Sequence, residues 1–208
     1  MQITKYENSC LDIVSGKTRV IIDPGVFTKK LQDYAGVNAV VVTHIHPDHF
    51  APDNLQRIIA ANPGVAIYTT EEISKEFNTN VTVAQISQTY KAGEIALEFF
   101  GGAHAQISSN LPLAQNIGVL VGDVLYYPGD SLTPCPKPHS VLALPVMAPW
   151  LKFSEAEAFM AKSSATKVFA SHNQFINEDG QNLYNRLVGN ACQQQNKTYK
   201  FLDVGESI

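Results

Sequence analysis

The segment His44-Ile45-His46-Pro47-Asp48-His49 follows directly on the apolar run Ala39–Thr43, and this junction constrains the chain more than any other feature. A continuous apolar run of that length reads as a strand buried on both faces. Side chains alternate along extended backbone, so His44 and His46 leave the strand end on one side. Pro47 then forces a turn and is suited to start a helix. The turn aims Asp48 and His49 at a neighbouring point. Two imidazoles pointing one way, with a carboxylate and a third imidazole beside them, suit two adjacent divalent ions better than one. The competing reading is a polar loop with unrelated histidines, and the spacing disfavours it.

Three more candidate ligands each stand just after a β-rich run. His104 follows Ile95–Phe100 in Gly101-Gly102-Ala103-His104, where glycines permit a tight turn and close backbone approach. Asp130 follows Tyr126-Tyr127-Pro128-Gly129, and His172 follows Lys167–Ala170. Alone, each is more often structural. Placed after strand ends, where sheet-based folds gather functional groups, they join the first motif as a set.

Between these points the pattern is mixed. Ile3–Glu7, Leu11–Val14 and Arg19–Asp23 read as strands parted by Asn8-Ser9 and Ser15-Gly16-Lys17 turns. Pro52–Ala61 reads as a helix ended by Asn62-Pro63-Gly64, and Thr70 as the cap of a helix over Glu71–Phe77. Val65–Thr69, Val81–Ile86, Ile117–Val121, Val124–Tyr127 and Val141–Leu144 read as further strands, with Gly122-Asp123 a two-residue hairpin turn. Ser154 opens a helix to about Ser163. A last helix spans roughly Gln181–Gln195 with Leu183, Leu187 and Ala191 on one face, and Tyr199–Asp203 closes the chain as a strand. Strands outnumber helices and helices recur in both halves, which predicts sheets packed on each other with helices outside. No linker divides the 208 residues, so one domain is expected.

Charge and composition narrow the function. A formal net charge of -4 and a pI near 5.8 argue against a nucleic-acid partner, which usually meets a basic face. No run of 18 apolar residues suggests a membrane span, and the N-terminus lacks the pattern of a signal peptide. Cys10, Cys135 and Cys192 are too few and too scattered for a disulfide framework or a CxxC zinc site, which suits a reducing cytoplasm.

HIHPDH, then GGAH, PGD and ASH, resembles the ordered ligand set of the metallo-β-lactamase superfamily, with most likeness to its L-ascorbate-6-phosphate-lactonase-like branch of small Zn-dependent hydrolases. The likeness extends to IIDPG (Ile21–Gly25), ALPV (Ala143–Val146) and the closing VGESI (Val204–Ile208). It implies an α+β fold, a four-layer αββα sandwich of two mixed sheets with helices on the outer faces and the site at one edge between the sheets. Carried over by motif, His44, His46 and His104 bind one metal, Asp48, His49 and His172 a second, and Asp130 bridges both. Asp48 and His172 are also the candidate catalytic groups, Asp48 by orienting the nucleophile or relaying a proton.

The expected function is hydrolysis of a small cytoplasmic metabolite (a lactone, ester or phosphoester) by water activated between two divalent ions, zinc ahead of manganese or iron. A homo-oligomer is compatible with the resemblance; a nucleic-acid or membrane partner is not expected. The alternatives are a phosphodiesterase or nuclease of the same fold, an iron-dependent oxidoreductase, and a non-catalytic metal-binding member. Flavodiiron relatives carry a Glu at the position of His46 and a fused flavin domain, and this chain has neither. Asp23 reads as a structural brace of the metal loop. His139 reads as a surface residue in a proline-stiffened loop, with a substrate contact as the alternative because the loop starts just after Asp130. Trp150 is a candidate for lining the cleft, although so large an aromatic is more often core.

Overall fold

A computed structural model describes residues 1–77 and 81–208. The first sheet has six strands in sequence order: β1 (Gln2–Lys5), β2 (Leu11–Ser15), β3 (Thr18–Ile22), β4 (Ala39–Val41), β5 (Ala66–Thr69) and β6 (Thr82–Val83). β1 to β3 form antiparallel pairs, and β3 to β6 run parallel. The second sheet has seven strands: β7 (Thr89–Ala92), β8 (Ile95–Gly101), β9 (Ile117–Val121), β10 (Leu125–Tyr127), β11 (Val141–Pro145), β12 (Lys167–Ser171) and β13 (Thr198–Tyr199). Its first four strands are antiparallel and β10 to β13 are parallel.

The period-two alternation of apolar residues explains the layers. Val20 and Ile22 of β3 and Val41 of β4 face the second sheet, where they meet Leu97, Phe99 and Val119. Their neighbours Ile21, Val40 and Val42 face the other way, onto α1 (Pro52–Ala61) and α2 (Glu71–Glu76) through Leu55, Ile58 and Ile73. In the second sheet Leu142 and Leu144 turn outward onto α3 (Phe153–Lys162) and α4 (Glu178–Gln194), where Phe159, Met160 and Val188 lie. Strands apolar on both faces are therefore sandwiched between a partner sheet and helices. The result is the expected αββα arrangement of two mixed sheets with four helices among the described residues.

Several element readings are corrected. The run Val81–Ile86 keeps only Thr82–Val83 as strand, because only that stretch pairs with β5. Thr89–Ala92 is a strand the sequence did not announce; it forms a hairpin with β8 around Gly93-Glu94, with Ala92 opposite Ile95. Thr70 precedes α2 but its hydroxyl makes no cap hydrogen bond. α3 begins at Phe153, and Glu155 Oε2 accepts from the Lys152 N–H at 3.3 Å. α4 begins earlier than expected, at Glu178, because Asn177 Oδ1 accepts the Gly180 N–H at 3.0 Å. Its buried face is Val188, Ala191 and Cys192, whereas Leu183 is exposed. The Gly122-Asp123 turn is as expected: both residues have positive φ, and Val124 N–H donates to Val121 O at 3.0 Å.

Candidate metal centre

All seven sequence-predicted ligands converge. His44 and His46 extend from β4, with ring centroids 4.8 Å apart, and the His104 ring lies 4.8 Å from one and 4.7 Å from the other. Pro47 to His49 form a turn, closed by His49 N–H and Phe50 N–H donating to His46 O at 3.0 and 2.8 Å. That turn carries Asp48 and His49 towards His172, which stands just past β12. Three groups of potential ligand atoms result, each within 4.8 Å: His44, His46 and His104; His44, His49 and Asp130; Asp48, His49 and His172. The first sheet supplies four of the seven residues and the second sheet supplies His104, Asp130 and His172.

The imidazole tautomers follow from what surrounds the rings. Thr43 Oγ1 donates to Asp23 Oδ2 at 2.7 Å, so it accepts from His44 Nδ1 at 3.1 Å. His49 Nδ1 lies 2.7 Å from Asp23 Oδ2, and His172 Nδ1 lies 2.6 Å from Met147 O. His104 Nδ1 donates to Ala105 O. With Nδ1–H directed outward in each ring, Nε2 turns inward as the atom that can coordinate an ion once it carries no proton. Inside, the Nε2 atoms of His44, His104 and His172, together with Asp130 Oδ1, are buried and lack a hydrogen-bond partner. Four buried polar atoms without a hydrogen bond at one point cost free energy unless something binds them. The donor set, imidazole and carboxylate, fits divalent metal ions.

Charge at the centre is tightly coupled. His49 Nε2 lies 3.2 Å from Asp130 Oδ1 and 3.3 Å from Asp48 Oδ2. His172 Nε2 lies 3.1 Å from both Asp48 Oδ2 and Asp130 Oδ2. Burial alone would lower the pKa of His49, but Asp130 and Asp23 hold it well above the usual imidazole range. Burial likewise opposes the ionised Asp130, and the neighbouring His49 and His172 nevertheless hold it well below the carboxylate range. His44 is lowered, by burial first and then by its cationic neighbour His49.

Asp23 is the brace the sequence suggested. It is fully buried and accepts from Thr43 N and Thr43 Oγ1, both at 2.7 Å, and from Tyr127 Oη at 2.9 Å, besides facing His49. Sequence reasoning missed other supporting groups. Asn8 Nδ2 donates to Asp48 Oδ2 at 3.0 Å and Asn8 O accepts the His172 N–H at 2.9 Å, while Ser9 Oγ lies 3.2 Å from His49 Nε2. Asn8 has φ 55°, which suits an asparagine turn, so the Asn8-Ser9 turn signal was the available clue. Asn116 Oδ1 accepts the Asp130 N–H at 3.0 Å. Trp150 does reach the site: its Nε1–H donates to Asp130 Oδ2 at 3.0 Å, with its ring 5.9 Å from that of His104.

His139 is the correction. It is buried, not on the surface, with Nε2 2.7 Å from Ser163 Oγ and Nδ1 2.9 Å from Lys137 O. The proline-rich loop packs its imidazole against the end of α3, away from the centre.

Residues 2–170 match the family model described as the beta-lactamase superfamily domain. The chain belongs to the beta-lactamase superfamily. This superfamily member is 30% identical over 189 residues to Protein Rv0786c of Mycobacterium tuberculosis, a match covering 88% of this chain and 89% of that one. It is 24% identical over 150 residues to the UPF0173 metal-dependent hydrolase of Aeropyrum pernix, covering 62% of this chain and 61% of that one. Among solved structures, Igni18, a novel metallo hydrolase of Ignicoccus hospitalis, superposes with a TM-score of 0.75 at 18% identity, covering 100% of this chain and 97% of that one. The structural likeness is one of fold.

Proposed function

We propose that this chain is a metal-dependent hydrolase that holds two divalent ions and cleaves a small cytoplasmic metabolite, an ester, lactone or phosphoester. The observation that carries the reading is the set of inward-facing, partnerless ligand atoms of His44, His104, His172 and Asp130, drawn from both sheets. His44, His46 and His104 would hold one ion, Asp48, His49 and His172 the other, with Asp130 between them. Five imidazoles and two carboxylates favour zinc, with manganese and iron accepted by the same donors. When bound, such ions lower the pKa of water towards ~7 and polarise the scissile carbonyl or phosphoryl oxygen.

The chain's own groups do the rest. Asp48 Oδ2 is fixed by Asn8, and its side chain keeps 14% exposure, the larger opening of the two ligand carboxylates. It is thus placed to orient an incoming water and accept its proton. His172, held through Nδ1 by Met147 O with Nε2 3.1 Å from Asp48, is oriented to hold the ion beside that water. Trp150 and Asn116 hold Asp130 from Oδ2 and from its backbone N–H, which leaves Oδ1 pointing at the centre.

Elemental analysis of the purified protein, beside a His46→Ala variant, tests the reading. About two zinc or manganese ions per chain, partly lost in the variant, together with hydrolysis of a lactone, ester or phosphoester, is the expected result. No metal after reconstitution with zinc, manganese or iron would overturn it, and one iron per chain would redirect it to oxygen chemistry.

A further inference from the structure

A cleft of about 360 Å³ opens directly beside His46. One wall is apolar, made by Ile45 and by Pro112, Leu113 and Ala114 of the loop between β8 and β9. The other is α2, which contributes Glu72, Lys75 and Glu76. The loop is anchored on both sides. His104 N–H donates to Ala114 O at 2.9 Å, Gln115 N–H donates to Glu72 Oε2 at 2.9 Å, and Glu72 N–H donates to Gln115 Oε1 at 3.2 Å. The wall therefore stands ready-made next to a candidate ligand, held by the same backbone that carries His104.

Its charge is wrong for an anion. Among the described residues its one cation, Lys75, is paired with Glu71 at 2.8 Å, and Glu72 and Glu76 lie alongside it. An anionic substituent on the part of the substrate that lies here would meet no free positive group among the described residues, whereas anion sites usually present arginine, lysine or a nest of N–H groups. The far side of the centre is apolar as well. Phe175, 48% exposed, has its ring 5.5 Å from that of His172, and Phe27 meets it edge-on at 5.3 Å. Aromatic rings left open beside a polar centre mark a surface that a ligand covers.

We propose that the cleft beside His46 seats an uncharged apolar chain of the substrate, so that the protein hydrolyses acyl esters or lactones whose acyl chain is apolar; this rests on the hydrolase reading above. The reaction adds water across the ester. The acyl carbon–oxygen bond breaks, the water oxygen bonds to the acyl carbon, and a carboxylate, an alcohol and one proton leave.

The probes are acetate, butanoate and octanoate, as analogues of the carboxylate product. Each is titrated into the zinc-loaded full chain. Trp150, the sole tryptophan, reports binding by fluorescence from within the site. Affinity should rise about threefold to fourfold per methylene along the series. Leu113→Asp should flatten that gradient while leaving zinc content unchanged, and Leu183→Asp, on the exposed face of α4, should leave the gradient intact. Cleavage rates of 4-nitrophenyl acetate, butanoate and octanoate should follow the same order. Equal affinities across the series, or a gradient untouched by Leu113→Asp, would overturn the proposal while leaving the hydrolase reading in place. A gradient in binding with no ester cleaved would overturn the hydrolase reading and confine the proposal to binding.

Discussion

At the scale of single residues, the centre works because groups outside it occupy the Nδ1 side of the rings. Asp23 is the most connected of these, holding His49, Thr43 and Tyr127 at once. Asp23→Asn keeps the shape and removes the charge that orients His49. It should weaken metal binding about tenfold to a hundredfold, read by competition with a chromogenic chelator; an unchanged affinity would make Asp23 a purely structural residue. Trp150→Phe keeps the aromatic ring and deletes the donor to Asp130 Oδ2. A hydrogen bond to a charged group contributes about 1.5–3 kcal/mol, so turnover should fall roughly tenfold or more while the folded chain persists by circular dichroism. Protons are coupled to the metal as well. Burial pulls His172 down, but Asp130 and Asp48 outweigh it and raise its pKa to about 9. In the metal-free chain this proton stabilises the fold fully below 6.5, and that contribution is lost as pH rises through about 9. A metal must displace it, so zinc affinity should climb between pH 7 and 9, and binding near pH 7 should release protons. Calorimetry in two buffers of different ionisation enthalpy reads this directly, and identical heats in both would contradict it. The seven converging candidate ligands were legible because their chemistry is carried by residue type and local spacing. Asn8, Asn116 and Tyr127 were not, because each acts on a group that folding alone brings near.

At the scale of elements, the same division holds. The run Ala39–Thr43 feeding HIHPDH and the helix Pro52–Ala61 were readable, since a buried strand and a Pro-started amphipathic helix leave local signatures. β7 was not, because Thr89–Ala92 is a polar edge strand whose identity comes from pairing with β8. The buried face of α4 was misassigned around Leu183 because several apolar stripes compete on that helix and only packing against the second sheet selects one. Loop geometry at the metal turn is equally tertiary. A Cβ placed on Gly25 would lie 2.0 Å from the Asp48 carbonyl oxygen, so the Asp23-Pro24-Gly25 corner packs directly on the turn that aims Asp48 and His49. Overpacking of this kind costs about 1–3 kcal/mol. Gly25→Ala should therefore lower Tm by roughly 2–10 °C and reduce metal occupancy together, measured by thermal unfolding and elemental analysis. A fall in Tm at full occupancy would separate the corner from the site.

At the scale of the whole molecule, the centre is where the two sheets meet chemically. His44, His46, Asp48 and His49 come from the first sheet's edge, and His104, Asp130 and His172 from the second's. A second tie lies at the first sheet's edge strand β1, where the chain leaves β13 and runs back to pair with it. Ile3 N–H donates to Ile208 O at 3.1 Å and Ile208 N–H to Ile3 O at 3.0 Å. Between these ties the sheets are joined mainly by apolar packing, with a few hydrogen bonds across it, among them Glu94 N–H donating to Thr18 Oγ1 at 3.0 Å and Tyr127 Oη donating to Asp23 Oδ2 at 2.9 Å. Metal binding should therefore act as a global clamp rather than a local one, because an ion held by both sheets binds the folded chain and not the unfolded one. At a free zinc concentration of about 100 times Kd the added stability is about 2.7 kcal/mol. For a chain of this size that corresponds to a rise in Tm of roughly 5–11 °C. The rise should be seen by all probes together, near-ultraviolet and far-ultraviolet dichroism alike. If zinc raised only the near-ultraviolet transition, the sheets would be separable units, and the site would be formed after they dock rather than holding them together.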